Sequence, residues 1–131
     1  AVTFRINCRS SYLFLFWKLF MPVTTPVDLQ LQTFNAHDVE GFCAAYHEDI
    51  IMAELGGATI FSGLAAVRAH YTALFHGAPE LSATLISRQI HHNHVIDYEQ
   101  IRGRPGKPDK LTLVIYAVEE GKIHRVWFVP N

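Results

Sequence analysis

The 131-residue sequence is poor in charge and in cysteine, and it has no apolar run long enough to cross a membrane. Charged residues make up 18% of the chain and the formal net charge is −1, so nothing points to nucleic acid or an acidic lipid surface as a partner. Two cysteines, Cys8 and Cys43, cannot form a disulfide framework, which favours a reducing, cytoplasmic location. Lys18 interrupts the apolar stretch 12–20, which is shorter than the roughly 20 residues of a membrane span.

Several catalytic signatures are also missing. The sequence contains no Gly-rich phosphate loop, GxGxxG, HExxH or paired-cysteine pattern, so we predict no cofactor and no metal. His91, His92 and His94 lie close together, but at the tip of a predicted hairpin. A catalytic zinc needs three convergent ligands, so these histidines are interpreted as solvated turn residues.

Half of the residues are apolar, which together with the length predicts one domain with one core. Residues 1–20 differ from the rest: Arg5 and Arg9 precede the apolar stretch, and no small-x-small cleavage site follows. We expect residues 1–23 to be an upstream leader and residues 24–131 to be the domain. The alternative is that the first residues form an extra element packed on the domain, which would hide their aromatic side chains from water.

Helical signals come first along the domain. Thr25 is a predicted N-cap followed by Pro26 at the first helical position, and the helix should run to about residue 36. Asp38 and Ser62 are predicted to cap a second and a third helix. The predicted strands are 50–55, 59–61, 81–92, 94–102, 110–118 and 123–129, with tight turns at 56–57, 92–93 and 120–121. Three helices on one face of a concave sheet make an α+β domain with a pocket between the layers.

Three motifs resemble those of the nuclear-transport-factor-2-like (SnoaL-like) superfamily. They are N-x-x-D at 35–38 with the acidic 46–49 segment, G-x-x-x-V-R-x-x-Y at 63–71, and G-K-I at 121–123. The resemblance implies a cone-shaped α+β barrel in which three N-terminal helices pack on a strongly curved, mostly antiparallel sheet. The superfamily includes ketosteroid isomerase, limonene epoxide hydrolase, scytalone dehydratase, polyketide cyclases and non-enzymatic transport and adaptor domains, so the fold does not select a function.

Glu54 is the first candidate catalytic residue. It resembles the position of the general base in ketosteroid isomerase, and strand alternation places it on the same face as Ile50 and Met52. A carboxylate in an apolar cavity binds its proton more tightly, which suits a base that removes a proton next to a carbonyl. The alternative reading is a glutamate that points outward at the end of a strand.

The resemblance also implies a set of substrate-binding positions, and at two of them this sequence differs from ketosteroid isomerase. The isomerase has two donors for its enolate, and the matching positions here are Gln30 and Val114, of which Val114 cannot donate. Tyr116, on the same strand face as Val114, is therefore a second catalytic candidate, testable by Tyr116→Phe. The predicted substrate-binding residues are Gln30, Phe34, Tyr46, Met52, Tyr71, Tyr98, Val114 and Phe128.

The remaining polar residues are given structural or interface roles. With a turn at 92–93, Arg88 falls opposite Asp97 and Ile86 opposite Glu99. The resemblance favours an outward position for Arg88, Asp97 and Glu99, with His94, Ile96 and Tyr98 facing inward. Arg125 and Trp127 suit a homodimer interface on the outer sheet face.

The sequence therefore predicts a cofactor-independent isomerase or cyclase that acts on a small apolar carbonyl compound. The alternatives are a non-catalytic module that binds a hydrophobic ligand, and a dimeric adaptor.

Overall fold

The computed structural model describes residues 20–131. Within them the chain forms three helices and six strands. The helices are α1 (Thr24–Asn35), α2 (Val39–Ala44) and α3 (Leu64–Gly77); the strands are β1 (Tyr46–Glu54), β2 (Thr59–Ser62), β3 (Ser82–His91), β4 (His94–Arg102), β5 (Lys110–Glu119) and β6 (Lys122–Val129). The expectations for residues 1–19, including a role for Cys8, lie outside the described residues. Of the residues before α1, Val23 packs against the core and Met21 lies against Gly121.

Only one of the three helices begins with a side-chain cap. Asp38 caps α2 as predicted, because its side chain accepts a hydrogen bond from the Gly41 N–H at 3.0 Å. The other two predicted caps are wrong. Helix α1 begins one residue before Thr25 without a side-chain cap, and α3 follows Gly63, whose φ of 90° turns the chain from β2 into the helix.

The six strands form one sheet in the order β2-β1-β6-β5-β4-β3, with only β1 and β6 parallel. Strands β3 to β6 are a continuous antiparallel meander, in which tight turns join β3 to β4 and β5 to β6 and the loop 103–109 joins β4 to β5. The β5–β6 turn has φ of 49° at Glu120 and 75° at Gly121, which matches the turn type that two-residue hairpins prefer. The three helices pack on this curled sheet, so the predicted α+β cone is confirmed. No helix of residues 20–131 is long and apolar enough to cross a membrane.

The register of the β3–β4 hairpin decides which side chains face the helices. Arg88 lies opposite Asp97, as predicted, but Leu85 and not Ile86 lies opposite Glu99. Ile86 is an extra residue between two paired positions, a β-bulge, and it is 51% exposed. A bulge changes which alternate residues point inward, so Leu85 before it and Arg88 after it face the same side of the sheet.

The core lies between the inner face of the sheet and the helices. Its fully buried members come from every layer: Val27 of α1, Phe42 of α2 and Val67 of α3 meet the sheet residues Ile50, Met52, Val95, Val114, Ile123 and Val126. Cys43 is buried on α2 and has no disulfide partner within residues 20–131. Burial raises the pKa of its thiol, and an inert packing role follows for this cysteine.

Candidate functional site

A cavity of about 190 Å³ lies between α1, α2, α3 and the inner face of β3 to β6. For scale, an apolar cavity of about 150 Å³ holds benzene, so this one accepts a ligand with roughly one ring and a short chain. Its lining is mostly apolar and aromatic. The lining residues are Gln30, Leu31, Phe34, Phe42, Tyr46, Tyr71, Leu74, Leu81, Ala83, Glu99, Ile101, Arg104, Lys110, Thr112, Val114, Tyr116, Val126 and Phe128.

Seven of the ten residues that the sequence assigns to the site line this cavity. They are Gln30, Phe34, Tyr46, Tyr71, Val114, Tyr116 and Phe128. The other three do not. Met52 is fully buried in the core, Tyr98 lies on the opposite face of β4, and Glu54 is exposed.

Glu54 is the last residue of β1 and pairs with Phe128 of β6. Although Phe128 lines the cavity, the side chain of Glu54 turns back over Gly57, with one carboxylate oxygen 3.0 Å from where a β-carbon on that glycine would lie. The residue is exposed and does not border the cavity. The expectation that Glu54 sits in an apolar pocket is therefore wrong, because the sheet ends before any neighbour covers it.

The polar residues of β4 face the cavity side, opposite to the prediction. Asp97 and Glu99 are 0% and 5% exposed, while Ile96 and Tyr98 face the other side. The pairing with β5 requires this: Asp97 lies opposite Val114 and Glu99 opposite Thr112, and directly paired residues share a sheet face. A one-residue change in register would reverse every side chain of the strand.

Glu99 is a buried carboxyl group on the cavity wall. One of its oxygens, Oε1, has no hydrogen-bond partner among the described residues. Its pKa is raised to about 7, chiefly by burial and next by repulsion from the Asp97 carboxylate; Arg88 and a hydrogen bond from the Tyr116 hydroxyl act in the opposite direction. Glu99 therefore exchanges its proton near neutral pH, as a general acid or base requires.

A short chain of buried polar groups connects Glu99 to the first helix. Gln30 Nε2 donates to the Tyr116 hydroxyl at 3.1 Å, and the Tyr46 hydroxyl lies 3.5 Å from Gln30 Oε1. Because Tyr116 accepts from Gln30, its own proton is free to be donated to another group, and the nearby Glu99 carboxylate, whose pKa Tyr116 lowers, can accept it. Burial raises the pKa of both tyrosines, so they remain protonated donors at neutral pH.

The hydroxyl of Tyr71, unlike those of Tyr46 and Tyr116, is outside this hydrogen-bonded chain. It lines the cavity from α3 and has no hydrogen-bond partner among residues 20–131. Burial, and next the charge of Glu99, raises its pKa to about 12. Tyr71 is therefore a protonated donor that a ligand oxygen can use.

An ion pair lies behind Glu99 on the hairpin. Arg88 Nε and an Nη donate to the two oxygens of Asp97 at 2.6 and 2.8 Å, and the other Nη donates to Asp28 of α1 at 2.6 Å. The guanidinium compensates the fully buried Asp97, and both carboxylates raise the pKa of Arg88. This arrangement fixes α1 against the hairpin that carries Glu99.

Sequence reasoning missed four polar lining residues, namely Glu99, Thr112, Arg104 and Lys110. A usable signal was present for two of them. Strand alternation places Thr112 on the same face as Val114 and Tyr116, and a β4–β5 register that puts Glu99 opposite Thr112 would have placed that glutamate on the same face. Arg104 belongs to an irregular loop, for which the sequence offers no periodicity.

The outer sheet face carries the residues expected at a dimer interface. Arg125 is exposed, and Trp127 is half-buried with its ring 6.2 Å from that of His94. Dimerisation through this face stays a prediction. Among residues 20–131, no group of three or more His, Cys, Asp or Glu side chains is arranged to hold a metal ion.

A family model of the SnoaL-like domain matches residues 27–126, and the chain belongs to this family. No curated protein matches the chain. A similar solved structure is that of an uncharacterised cystatin-fold protein from Novosphingobium aromaticivorans, with a TM-score of 0.77 and 22% identity over 84% of this chain and 99% of that one.

Two other solved structures share the fold at lower identity. An LEH-like epoxide hydrolase from M. tuberculosis has a TM-score of 0.72 and 12% identity over 83% of this chain and 82% of its own. A candidate ketosteroid isomerase from Kribbella flavida has a TM-score of 0.69 and 17% identity over 83% of this chain and 78% of its own. Because these two descriptions name different reactions, the fold alone does not identify a reaction for this chain.

Proposed function

We propose that this protein is an enzyme that moves a proton next to a carbonyl group of a small, mainly apolar compound, with Glu99 as the general base and acid. The observation that carries the proposal is a buried carboxyl group on the wall of an aromatic cavity, with a pKa of about 7. Such a group is costly to bury without a compensating partner, and one of its oxygens has none among the described residues.

In the proposed reaction, the Glu99 carboxylate removes a proton from the carbon next to the carbonyl. In an isomerisation the substrate carries a neighbouring C=C bond, so the resulting carboxylic acid returns the proton to the far carbon of the conjugated dienolate and the double bond moves. In a cyclisation the enolate carbon bonds to a second carbonyl carbon of the same compound, the π bond of that C=O breaks, and the Glu99 carboxylic acid gives its proton to the resulting alkoxide. A base with a pKa near the working pH combines a populated carboxylate form with useful basicity. No atom is gained or lost by the enzyme.

The developing negative charge on the carbonyl oxygen needs hydrogen-bond donors. Tyr71 supports this role because its hydroxyl lines the cavity and has no partner among residues 20–131. Tyr116, the donor suggested by the sequence, is bound by Gln30 and lowers the pKa of Glu99, so we assign its role mainly to the base. Removal of one oxyanion donor costs about 10²- to 10³-fold in a well-studied protease.

The sequence hypothesis placed Glu54 in the role of base. We favour Glu99 because it combines burial, contact with the cavity and a pKa of about 7, whereas Glu54 is exposed outside the cavity. Glu54 and Glu99 as the base would support the same class of reaction. Substituting each glutamate in turn distinguishes the two hypotheses.

The test is deuterium exchange at the carbons next to the carbonyl of 4-phenyl-2-butanone, an aryl ketone of the size that the cavity accepts. Proton NMR in D₂O measures the exchange rate with and without protein. We expect the unmodified chain to accelerate exchange and Glu99→Gln to lose about 10²- to 10⁴-fold of the acceleration, the range for a general base. Glu48→Gln, an exposed glutamate on β1, is the matched control.

Three results would contradict the proposal. If Glu99→Gln keeps full activity, Glu99 is not the base. If Glu99→Gln is active and Glu54→Gln is inactive, the sequence hypothesis of Glu54 as base is supported. If the protein accelerates exchange for none of a series of small aryl ketones, a non-catalytic binding module is favoured. The far-UV circular dichroism of each variant shows whether a loss of activity follows from a loss of fold.

A further inference from the structure

The cavity has a cationic side as well as an acidic one. Arg104, in the loop between β4 and β5, and Lys110, the first residue of β5, both line it. Neither forms an ion pair with any carboxylate among residues 20–131. Arg102, a neighbouring cation that does not line the cavity, is paired instead with Asp109 at 3.6 Å.

Arg104 is held in place while part of its guanidinium remains unused. One Nη donates to the backbone oxygen of Pro108 at 2.6 Å, which fixes the side chain across its own loop. Its Nε is buried without a hydrogen-bond partner among the described residues. The guanidinium is thus positioned with Nη hydrogens that Pro108 does not use, and these can donate to a carboxylate.

The strand register sets the distance between the cationic side and the acid. Lys110 pairs with Ile101, and Thr112 pairs with Glu99, so the two positions are two residues apart on the same inward face. Two residues of a strand span about 7 Å. One ligand with a ring-sized body can therefore reach the cations with one end and Glu99 with the other.

We infer that the ligand of this cavity is a small organic acid, whose carboxylate binds at Arg104 and Lys110 while its apolar body lies among the aromatic side chains. This inference rests on the proposed use of the cavity as a ligand site, and it names the class of compound: a carboxylate with an apolar, ring-sized body. The charge distribution supports it, because the segment 102–110 carries four cationic residues and one acidic residue in a chain of net charge −1.

The test compares 3-phenylpropanoate with 3-phenylpropanamide, two probes of nearly equal shape that differ in charge. Isothermal titration calorimetry at pH 7.5 measures the dissociation constant of each. We expect the acid to bind roughly three- to tenfold more tightly, as two partly exposed ion pairs allow, and added salt to weaken only the acid.

Substitution locates the effect. The double variant Arg104→Gln/Lys110→Gln should bind both probes with equal affinity. Lys107→Gln is the matched control, because Lys107 is exposed in the same loop but does not line the cavity, and it should keep the preference for the acid. If the double variant fails to fold, Lys110→Gln alone, at an exposed position, should still halve the preference or more.

The outcomes separate this inference from the proposed function. Equal binding of both probes, or a preference for the acid that survives in the double variant, overturns the anionic class and leaves the cavity as a ligand site. Failure of both probes to bind overturns the ligand site as well. Loss of the preference in Lys107→Gln would place the carboxylate on the loop surface and not in the cavity.

Discussion

Glu54 and Glu99 occupy comparable positions on the same sheet, yet they experience opposite environments. Each lies in register with a residue that lines the cavity, Glu54 with Phe128 and Glu99 with Thr112. Glu54 ends its strand and is exposed, whereas Glu99 lies in the interior of β4 and is 5% exposed. The difference shows that an inward register position buries a side chain only where helices cover that part of the sheet.

The environment then determines the chemistry that each group can perform. Glu99 lies among Tyr116, Asp97 and the cavity wall, and its pKa is raised to about 7. Glu54 has water on one side and the Gly57 turn on the other. Three experiments test this contrast, in order of decreasing expected effect.

The largest effect is expected from removal of the cation behind Glu99. Arg88→Met leaves Asp97, which is 0% exposed, without its partner, and an uncompensated buried charge costs about 3–5 kcal/mol of folding free energy. Urea denaturation at pH 7 measures the loss. The control Arg68→Met breaks the exposed ion pair with Glu40 and should cost less than about 1 kcal/mol. Equal losses of folding free energy in the two variants would show that the Asp97 charge does not depend on Arg88 for compensation.

The second effect is the pH dependence that Glu99 gives to stability. Its pKa is about 7 in the folded protein against 4.5 for an ordinary glutamate, so between these values the folded state binds more protons than the unfolded state. The contribution of Glu99 to stability is therefore present below pH 4.5 and is lost as the pH rises to about 7. From pH 4.5 to 8 the loss is about 3 kcal/mol, at roughly 1.36 kcal/mol per pKa unit.

Glu99→Gln should remove this pH-dependent loss, so that the variant is the more stable protein at pH 8. The free energy of unfolding, measured from pH 4.5 to 8 in both proteins, gives the difference between the two slopes. Glu54→Gln should keep the slope of the unmodified protein, because Glu54 is exposed. Parallel curves for all three proteins would exclude a perturbed pKa at Glu99.

The smallest effect is a shift in the titration of Glu99 itself. Tyr116→Phe removes the hydrogen bond that lowers this pKa, so the midpoint should move upward, by up to about 1 unit. Carbon-detected NMR of a sample labelled at the glutamate carboxyl carbons measures it. Tyr98→Phe, on the opposite face of β4, should leave the midpoint unchanged. A downward shift in Tyr116→Phe would contradict the assignment of Tyr116 as a donor to Glu99.

Much of the fold could be predicted because its signals are local. The Asp38 cap and the turns at 92–93 and 120–121 each depend on a few neighbouring residues, and each is found in the structure. The strand β4 was predicted with its observed bounds. The predicted caps at Thr25 and Ser62 were wrong, because both helices begin without a hydrogen bond from a capping side chain, so the capping residue type carried no information there.

Residues of the candidate site could be predicted only where family resemblance or strand alternation applied to them. Resemblance supplied Gln30, Tyr46 and Tyr71, and alternation supplied Tyr116, all of which line the cavity. The face of β4 was predicted the wrong way round, since an extra residue at Ile86 and the pairing with β5 had to be known together. Charge pattern gave no help there, because buried and exposed carboxylates look alike in a sequence.

The sequence by itself determined the order of the elements, the membership of the chain in an α+β class and the aromatic character of the cavity, since periodicity and turn chemistry act over a few residues. Only the tertiary structure decided which glutamate is buried, because burial depends on the helices that cover a given part of the sheet. The positions of Arg104 and Lys110 beside the same cavity were decided in the same way, by contacts between segments that are distant along the chain.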